Sequence, residues 1–265
     1  MQKWEFFEKS CAEYLEKSYS NNSLHFGWVG KSNSTKPDIA VIKNSYHVFY
    51  IEAKMPTAQS GQFVLTNTGW SFIFSTANKS QENEFTKLII NQINSNYDHY
   101  KDVSTATTDI NLNSSIYAAW IIYYYKEKGV KYIITADSKS NYIIFPIECF
   151  EKYFNISATL RIKNSGSSNL PQSRVNTVKE LFSAAYGACQ ISYKDCKAYL
   201  ITSRQLPIQL KLHSEDCDYQ LKNVDTDCYI VTKLSKTRNP NVIFSITLIN
   251  EQDDVDLDDF LNQIG

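Results

Sequence analysis

The sequence predicts an α/β protein in which a mixed central sheet is flanked by helices and followed by a C-terminal α+β elaboration. One observation is an amphipathic pattern over residues 2–19, where apolar side chains recur close to the helical period between Glu and Lys. Another is a set of short apolar runs of strand length, at 24–29, 38–43 and 46–54. Helices that alternate with strands are typical of layered α/β domains.

Residues 38–54 predict a β-hairpin, because the connection at 43–45 is short enough for a tight turn between antiparallel neighbours. The polar stretch 57–80 predicts mainly loop structure. Residues 82–100 predict a helix with apolar positions on one side. The run Ile116 to Tyr125 is apolar on both faces and predicts a buried strand.

The second half of the chain predicts an elaboration of the same domain. Its pattern changes after residue 126 and shows no repeat and no clear linker. We therefore divide the chain into a catalytic core at 1–126, a DNA-recognition and dimerisation elaboration at 127–250, and an acidic C-terminal tail at 251–265. The predicted elements of the second half are a hairpin at 131–145, a short helix at 147–154, a strand at 159–163, a loop at 164–171, a helix at 175–186 and several short strands within 198–249.

The distribution of charge permits a nucleic-acid partner. The 265-residue chain has a net charge of −1, which alone argues weakly against a general DNA binder. However, six of its 28 acids and none of its 27 bases lie within 251–260. Without that segment the bases outnumber the acids, so a mildly basic body with a detachable acidic tail is compatible with DNA.

Cysteine spacing and apolar run lengths predict the compartment. The six cysteines show no C-x-x-C pair, which argues against a zinc site and favours reduced thiols inside a cell. The N-terminus lacks the apolar stretch of a signal peptide, and the longest apolar run is too short to span a bilayer. We expect a protein of the bacterial cytoplasm, without a membrane partner. No glycine pattern for a nucleotide cofactor is present in the sequence.

The predicted hairpin carries the chain's main chemical motif. Pro37-Asp38 opens its first strand, and Glu52-Ala53-Lys54 closes the second, fourteen residues after Asp38. Charged side chains at the end of an apolar strand are costly unless they are paired or bind a metal. Alternation puts Glu52 and Lys54 on one face, and antiparallel pairing brings Asp38 within about two positions of Glu52.

Two acids and an amine at one point are what metal-assisted phosphodiester hydrolysis requires. Hard oxygen ligands favour Mg²⁺, with Mn²⁺ as a substitute, over zinc. Lys54 is suited to orienting or deprotonating the attacking water, or to neutralising a phosphate oxygen, and the sequence leaves these roles open. The alternative is a surface hairpin with an ion pair, which would add little stability.

Two similar triplets elsewhere are better explained as solvated polar residues. Asp137-Ser138-Lys139 falls in a predicted turn. Asp195-Cys196-Lys197 precedes an apolar run instead of closing one, and has no Pro-Asp partner. The strand context therefore singles out the triplet at 52–54.

The five residues Pro37-Asp38 and Glu52-Ala53-Lys54, on a hairpin that follows a helix, resemble the PD-(D/E)xK nuclease superfamily, and within it type II restriction endonucleases. The resemblance covers residues 1–126. It implies a restriction-endonuclease-like core in which Asp38 and Glu52 ligate Mg²⁺ and Lys54 is catalytic. It also implies that the main-chain carbonyl of Ala53 is a metal ligand.

Many members of the superfamily add a glutamate from the first helix. In this chain the resemblance makes Glu8 or Glu13 the candidate for that further metal ligand. A solvated helix face explains either residue equally well.

A second group of residues predicts contacts to DNA. The segment 161–174 combines bases, hydroxyls and a glycine ahead of a predicted helix, which suits phosphates and guanine edges, although an ordinary surface loop is the alternative. Two glutamines shortly after the catalytic strand are placed to reach a groove. The predicted contact residues are Arg161, Lys163, Ser165, Ser167, Arg174, Gln59 and Gln62.

These observations favour a Mg²⁺-dependent, sequence-specific endonuclease for double-stranded DNA, part of a restriction–modification system. Enzymes of that class usually act as homodimers on palindromes, because a two-fold protein matches a two-fold site. The alternatives are a structure-specific nuclease of DNA repair or recombination, and a non-catalytic DNA-binding module on the same scaffold.

Overall fold

A computed structural model describes residues 3–30, 36–164, 167–207, 210–234 and 238–265. Within these ranges the helices are α1 Lys3–Tyr19, α2 Glu84–Ser95, α3 Tyr97–Tyr100, α4 Ser114–Lys126, α5 Phe150–Tyr153, α6 Val175–Tyr186 and α7 Asp254–Ile264. The strands are β1 Leu24–Trp28, β2 Ile39–Lys43, β3 Tyr46–Ala53, β4 Thr57–Asn67, β5 Phe72–Phe74, β6 Thr108–Asp109, β7 Val130–Ala136, β8 Tyr142–Pro146, β9 Phe154–Asn164, β10 Ser167–Asn169, β11 Gln190–Lys194, β12 Lys197–Ile201, β13 Lys211–His213, β14 Asp218–Asp225, β15 Cys228–Leu234 and β16 Arg238–Leu248.

The chain divides into two compact units, one formed by 1–161 with 240–265 and the other by 162–239. The division proposed from the sequence, at residue 126, falls between α4 and β7 and therefore inside the first unit. The reason is that β7 pairs with β3 and completes the same sheet. The 251–265 segment also belongs to the first unit.

The sheet that carries the predicted motif is mixed, as expected. Its order is β1-β2-β3-β7-β8, with β3 and β7 parallel and the other neighbours antiparallel. The predicted hairpin is confirmed as β2 and β3. Its turn residues Asn44 and Ser45 both have positive φ angles, of 51° and 68°, which suits the right-handed twist of the two strands.

Strand β1 forms one edge of this sheet, and α1 supplies a partner for its outward amide. Glu16 Oε2 accepts a hydrogen bond from the amide of Phe26 at 2.6 Å, and Glu16 Oε1 lies 3.1 Å from Nδ1 of His25. Asn21 exchanges main-chain hydrogen bonds with Leu24 at the start of the strand. The outward hydrogen-bonding groups of an edge strand are otherwise a template for another strand.

Helices cover both faces of the mixed sheet. On one face, Cys11 and Leu15 of α1 and Phe260 of α7 form a core with side chains of the sheet. On the other face, α4 packs in the larger core that also contains the second sheet, whose order is β5-β4-β16-β9-β6. The amphipathic helix predicted at 2–19 is confirmed as α1 over its described residues.

The strand predicted at 116–125 is wrong, since these residues form helix α4. A segment that is apolar all round fits a buried helix as well as a buried strand, and periodicity alone does not separate the two. Asn113 caps the helix by accepting a hydrogen bond from the amide of Ser115, and both Trp120 and Tyr125 are buried. The strand that continues the sheet is β7.

The loop predicted at 57–80 is also wrong, because it contains strands β4 and β5. A bulge interrupts β4: Gln59 pairs with Ser245 and Gln62 pairs with Ile243, so two residues on β4 oppose one on β16. One of the two is Gly61, whose φ is +133°. The bulge breaks the alternation that would have indicated a strand. The helix predicted at 82–100 is divided into α2 and α3 at Asn96.

The second unit contains a sheet of order β11-β12-β15-β14-β13, with β10 also paired to β15. Val178 and Phe182 of α6 pack against this sheet in a separate core. The helix predicted at 175–186 is confirmed as α6, whereas the loop predicted at 164–171 contains the short strand β10.

The acidic C-terminal segment is a packed helix, α7. Phe260 is fully buried and its ring contacts those of Tyr19 and Tyr132. Asp256 is also buried and accepts hydrogen bonds from the Tyr153 hydroxyl at 2.6 Å and from Lys152 Nζ at 2.7 Å. The apolar stripe and these bonds hold the helix despite its acids. Two of the acids, Asp254 and Asp256, lie in its first turn, where the helix dipole favours negative charge.

No helix within the described ranges has both the length and the apolar character needed to cross a membrane. All six cysteines fall inside those ranges and are free thiols.

We predict that Phe260→Ala lowers the free energy of unfolding by about 3–5 kcal/mol, because it removes a buried ring and leaves a cavity. Urea denaturation measures the change. Val255→Ala, on the same helix but 75% exposed, is the control and should change stability by less than about 0.5 kcal/mol. Equal stability of the Phe260 variant and the unmodified protein would mean that α7 is a detachable tail.

Candidate active site on the β2–β3 hairpin

The hairpin places Asp38 beside Glu52. The register pairs Ile39 with Ile51, so the next positions, Asp38 and Glu52, face each other across the two strands. The amide of Ala53 donates a hydrogen bond to Asp38 Oδ2 at 3.0 Å and fixes that carboxylate. Asp38 is 8% exposed and Glu52 is 7% exposed. The geometry expected for this pair is therefore present.

Lys54 completes the group. Its Nζ donates a hydrogen bond to Glu52 Oε1 at 2.6 Å, and its main-chain amide donates to the carbonyl of Ile134 on β7 at 2.9 Å. Only 11% of the Lys54 side chain is exposed. The parallel strand β7 thus holds the end of β3 in place, and the amine reaches the carboxylates as the sequence predicted.

The electrostatics show an excess of negative charge. Burial, and then the charge of Glu52, raise the pKa of Asp38 well above its usual range. Burial alone would lower the pKa of Lys54, but the Glu52 carboxylate, with smaller contributions from Tyr125 and Asp38, raises it well above its ordinary value. A single ammonium faces two buried carboxylates, so a cation at this point would be stabilised.

Of the two candidate glutamates on α1, the structure brings Glu8 to the site. Trp28 Nε1 donates a hydrogen bond to Glu8 Oε2 at 3.3 Å. Burial raises the pKa of Glu8, and the charge of Glu52 contributes in the same direction. Glu13 instead forms an exposed ion pair with Lys9 at 3.5 Å.

The donor set fits a hard divalent cation. Asp38, Glu52 and the neighbouring Glu8 supply carboxylate oxygens, which Mg²⁺ and Mn²⁺ prefer. Over the described part of the chain, no three Asp, Glu, His or Cys side chains are already close enough together to enclose an ion. A main-chain carbonyl such as that of Ala53, or water, would have to complete the coordination shell, as is common for Mg²⁺.

The structure separates the predicted DNA-contacting residues between the two units. Gln59 and Gln62 are exposed on β4, and Arg161 is half-buried on β9, all in the first unit. In the second unit Lys163 is half-buried near the end of β9, Ser167 is exposed on β10, and Arg174 pairs with Asp216 at 2.9 Å. Ser165 lies outside the described residues.

No family model and no curated protein matches the chain. Among solved structures, the chain is similar to HhaI endonuclease in complex with DNA, with 35% sequence identity and a TM-score of 0.85 over 99% of each chain. The chain belongs to the type II restriction endonucleases. It is therefore a sequence-specific nuclease, a type II site-specific deoxyribonuclease, and the family and fold predicted from the hairpin are confirmed.

Sequence reasoning missed two residues that shape the site of this restriction endonuclease. Tyr125 of α4 lies beside Lys54, with the lysine Nζ 4.9 Å from the centroid of its ring. Gly30 packs directly against Asp38, and its amide donates a hydrogen bond to the Asp38 carbonyl at 3.1 Å. The glycine in the sequence was a signal of close approach, but what it approaches depends on the fold.

We predict that Gly30→Ala impairs cleavage by this restriction endonuclease. A Cβ atom at Gly30 would lie 2.7 Å from Asp38 Oδ1 and 3.0 Å from its Cα, so Asp38 must move. A displacement of this kind can reduce the rate about 100-fold. Steady-state cleavage of a plasmid measures the effect.

Gly27→Ala is the matched control, because the nearest atom to its new Cβ is a side-chain carbon of Ile42 at 4.0 Å. This variant should retain the normal rate. Equal rates for the two variants would show that the position of Asp38 does not depend on Gly30.

Proposed function

We propose that this restriction endonuclease hydrolyses double-stranded DNA with Mg²⁺ bound at Asp38 and Glu52, and that Mn²⁺ can substitute. The main observation behind the proposal is that two buried carboxylates face each other and that a single lysine, paired with Glu52, offsets their charge. Such a pair is costly in a protein interior unless a cation or a proton offsets its charge. The relationship to an endonuclease crystallised with DNA supports DNA as the substrate.

In this proposal each residue of the site has a separate role. Asp38, Glu52, Glu8 and the Ala53 carbonyl hold the cation, and the amide of Ala53 orients Asp38. When bound, the cation supplies Lewis-acid stabilisation of the charge that develops on the phosphate. Lys54 places N–H donors and positive charge at the same point, where they suit a phosphate oxygen or the attacking water.

The polar face of the second sheet supports a DNA contact near the catalytic strand. Phe63 of β4 and Leu160 of β9 face the core of the first unit. Because of the β4 bulge, Gln59 and Gln62 share the opposite face although they are three residues apart. Arg161 follows Leu160 and points to the same side. Amides and a guanidinium suit the acceptor and donor edges of bases.

We predict that Gln59→Ala weakens binding to the recognition sequence by about 1–3 kcal/mol and leaves non-specific binding nearly unchanged. Fluorescence anisotropy with Ca²⁺ in place of Mg²⁺ would measure both affinities. Gln81→Ala, an exposed glutamine in the loop before α2, is the control. An equal loss on every duplex would show that Gln59 contacts only the backbone.

In the second unit, Lys163, Ser165, Ser167 and Arg174 remain proposed DNA contacts. The exposed ion pair between Arg174 and Asp216 adds little stability and is compatible with exchange for a phosphate.

We also propose, from the sequence, that the protein acts as a homodimer and is located in the bacterial cytoplasm.

The proposal is tested by digestion of a mapped plasmid. The protein with Mg²⁺ should give discrete fragments whose ends define the target, and EDTA should abolish cleavage. A smear would indicate an unspecific nuclease, and intact DNA would indicate a binding module.

Asp38→Asn and Lys54→Ala should lower the cleavage rate by at least about 100-fold. Asp38→Asn should not lower the melting temperature of the metal-free protein, because it removes one of two facing buried charges and keeps an acceptor for the Ala53 amide. Circular dichroism checks that both variants fold. Unfolding of both would instead make these residues structural.

A further inference from the structure

Lys54 has more hydrogen-bond donors than its known partner can satisfy. An ammonium carries three N–H donors. One of them points to Glu52 Oε1 at 2.6 Å, in a site where the lysine side chain is only 11% exposed. A charge removed from water needs acceptors for its remaining donors, since an unmet donor in such a site is costly.

The bond to Glu52 becomes weaker in the catalytic state if the proposed function is correct. Glu52 is then also a metal ligand, and a divalent cation at its oxygens repels the neighbouring ammonium. Lys54 must remain beside the reacting phosphate in that state. Other groups therefore have to hold its side chain, and the structure supplies two of them.

Tyr125 is the first of these groups. It is buried on α4, and the Nζ of Lys54 lies 4.9 Å from the centroid of its ring, within the range of a cation–π contact. Burial raises the pKa of the Tyr125 hydroxyl, and the nearby Lys54 ammonium acts in the opposite direction. The tyrosine thus offers the ammonium both a ring face and an oxygen.

Thr135 is the second group. The parallel register pairs Ala53 with Ile134, so the next residues, Lys54 just after β3 and Thr135 of β7, are neighbours. Thr135 pairs with Ile143, which packs in the same core as Tyr125, so its side chain lies on the Lys54 face of the sheet. Its Oγ1 is buried and has no hydrogen-bond partner among the described residues.

That unpaired hydroxyl needs an explanation. A buried hydroxyl without a partner opposes folding, and valine has nearly the same shape without that cost. If Thr135 only filled space, valine would be the better residue. A threonine is explained if its oxygen accepts a hydrogen bond in a state with DNA and metal bound.

We propose that Tyr125 and Thr135 are positioning residues whose hydroxyl groups form a pocket that holds the Lys54 ammonium in the catalytic state, when Glu52 binds the cation. The pocket acts through Lys54 and does not touch the substrate. Loss of either hydroxyl should therefore lower kcat and leave KM and DNA affinity nearly unchanged.

The first test replaces Thr135. Thr135→Val should fold with equal or greater stability in urea, bind DNA normally with Ca²⁺, and lose at least about ten-fold in kcat. Thr135→Ser, which restores the hydroxyl, should recover most of that loss. A valine variant with normal kcat would overturn the role of Thr135.

The second test removes the Tyr125 hydroxyl and uses a control on the same helix. Tyr125→Phe keeps the ring and should lower kcat at constant KM. Tyr117→Phe removes another buried hydroxyl, which donates to the carbonyl of Ile110, so it should lower stability without a specific change in kcat. Equal kcat effects of the two changes would reduce Tyr125 to a structural residue.

The third test does not depend on activity. In protein with ¹³C-labelled lysine ε-carbons, the Lys54 signal should be shifted by the ring current of Tyr125. The Nζ of Lys128 also lies 5.6 Å from the centroid of that ring, so the Lys54 signal is assigned by its loss in Lys54→Arg. The shift should persist in the complex with Ca²⁺ and DNA and disappear in Tyr125→Leu. A wild-type signal that loses the shift in the complex would mean that Lys54 leaves the pocket, and the proposal would be wrong even if Mg²⁺-dependent cleavage is confirmed.

Discussion

The structure depends on keeping two buried carboxylates, Asp38 and Glu52, side by side on paired strands. Removing like charges from water and placing them in contact opposes folding, so the rest of the first unit must compensate. Lys54 supplies one opposite charge, and the amide of Ala53 supplies a donor. Packing on both faces of the mixed sheet keeps these groups in register. The remaining excess of negative charge would favour a cation at this point.

The elements around the hairpin each restrict one of these side chains. Gly30, which follows β1, has no side chain and so leaves the space that Asp38 occupies. Trp28 of β1 orients Glu8 of α1 through its hydrogen bond. On the opposite face, the ring of Tyr125 in α4 lies beside Lys54, and the register of β3 with β7 places Thr135 next to the lysine. An arrangement held from both faces is more rigid than one carried on loops alone, which favours a fixed reacting geometry.

The hairpin and its three charged residues were predictable because the information is local. The two-residue turn Asn44-Ser45 fixes the pairing of β2 with β3, and alternation fixes the faces of Glu52 and Lys54. Helix α1 and helix α6 were predictable from periodicity for the same reason. The family followed from five residues because their strand context is restrictive.

The remainder depended on contacts between distant segments. Helix α4 lacks a polar face because it packs between two sheets, so its pattern could not distinguish helix from strand. Strand β4 was hidden by the bulge at Ser60 and Gly61, which only the pairing with β16 explains. The docking of α7 depends on the pocket that receives Phe260. Gly30 and Thr135 carry no chemistry until the fold places them beside charged neighbours.

The carboxylate of Glu16 affects whether separate molecules can associate through strand β1. Glu16 accepts the hydrogen bond of the outward amide of Phe26, so this donor at the β1 edge of the mixed sheet is not free to pair with another strand. In a concentrated solution, this contact hinders the pairing of β1 with a strand of another molecule. One side chain on a helix thus helps to limit this sheet to its five strands at the β1 edge.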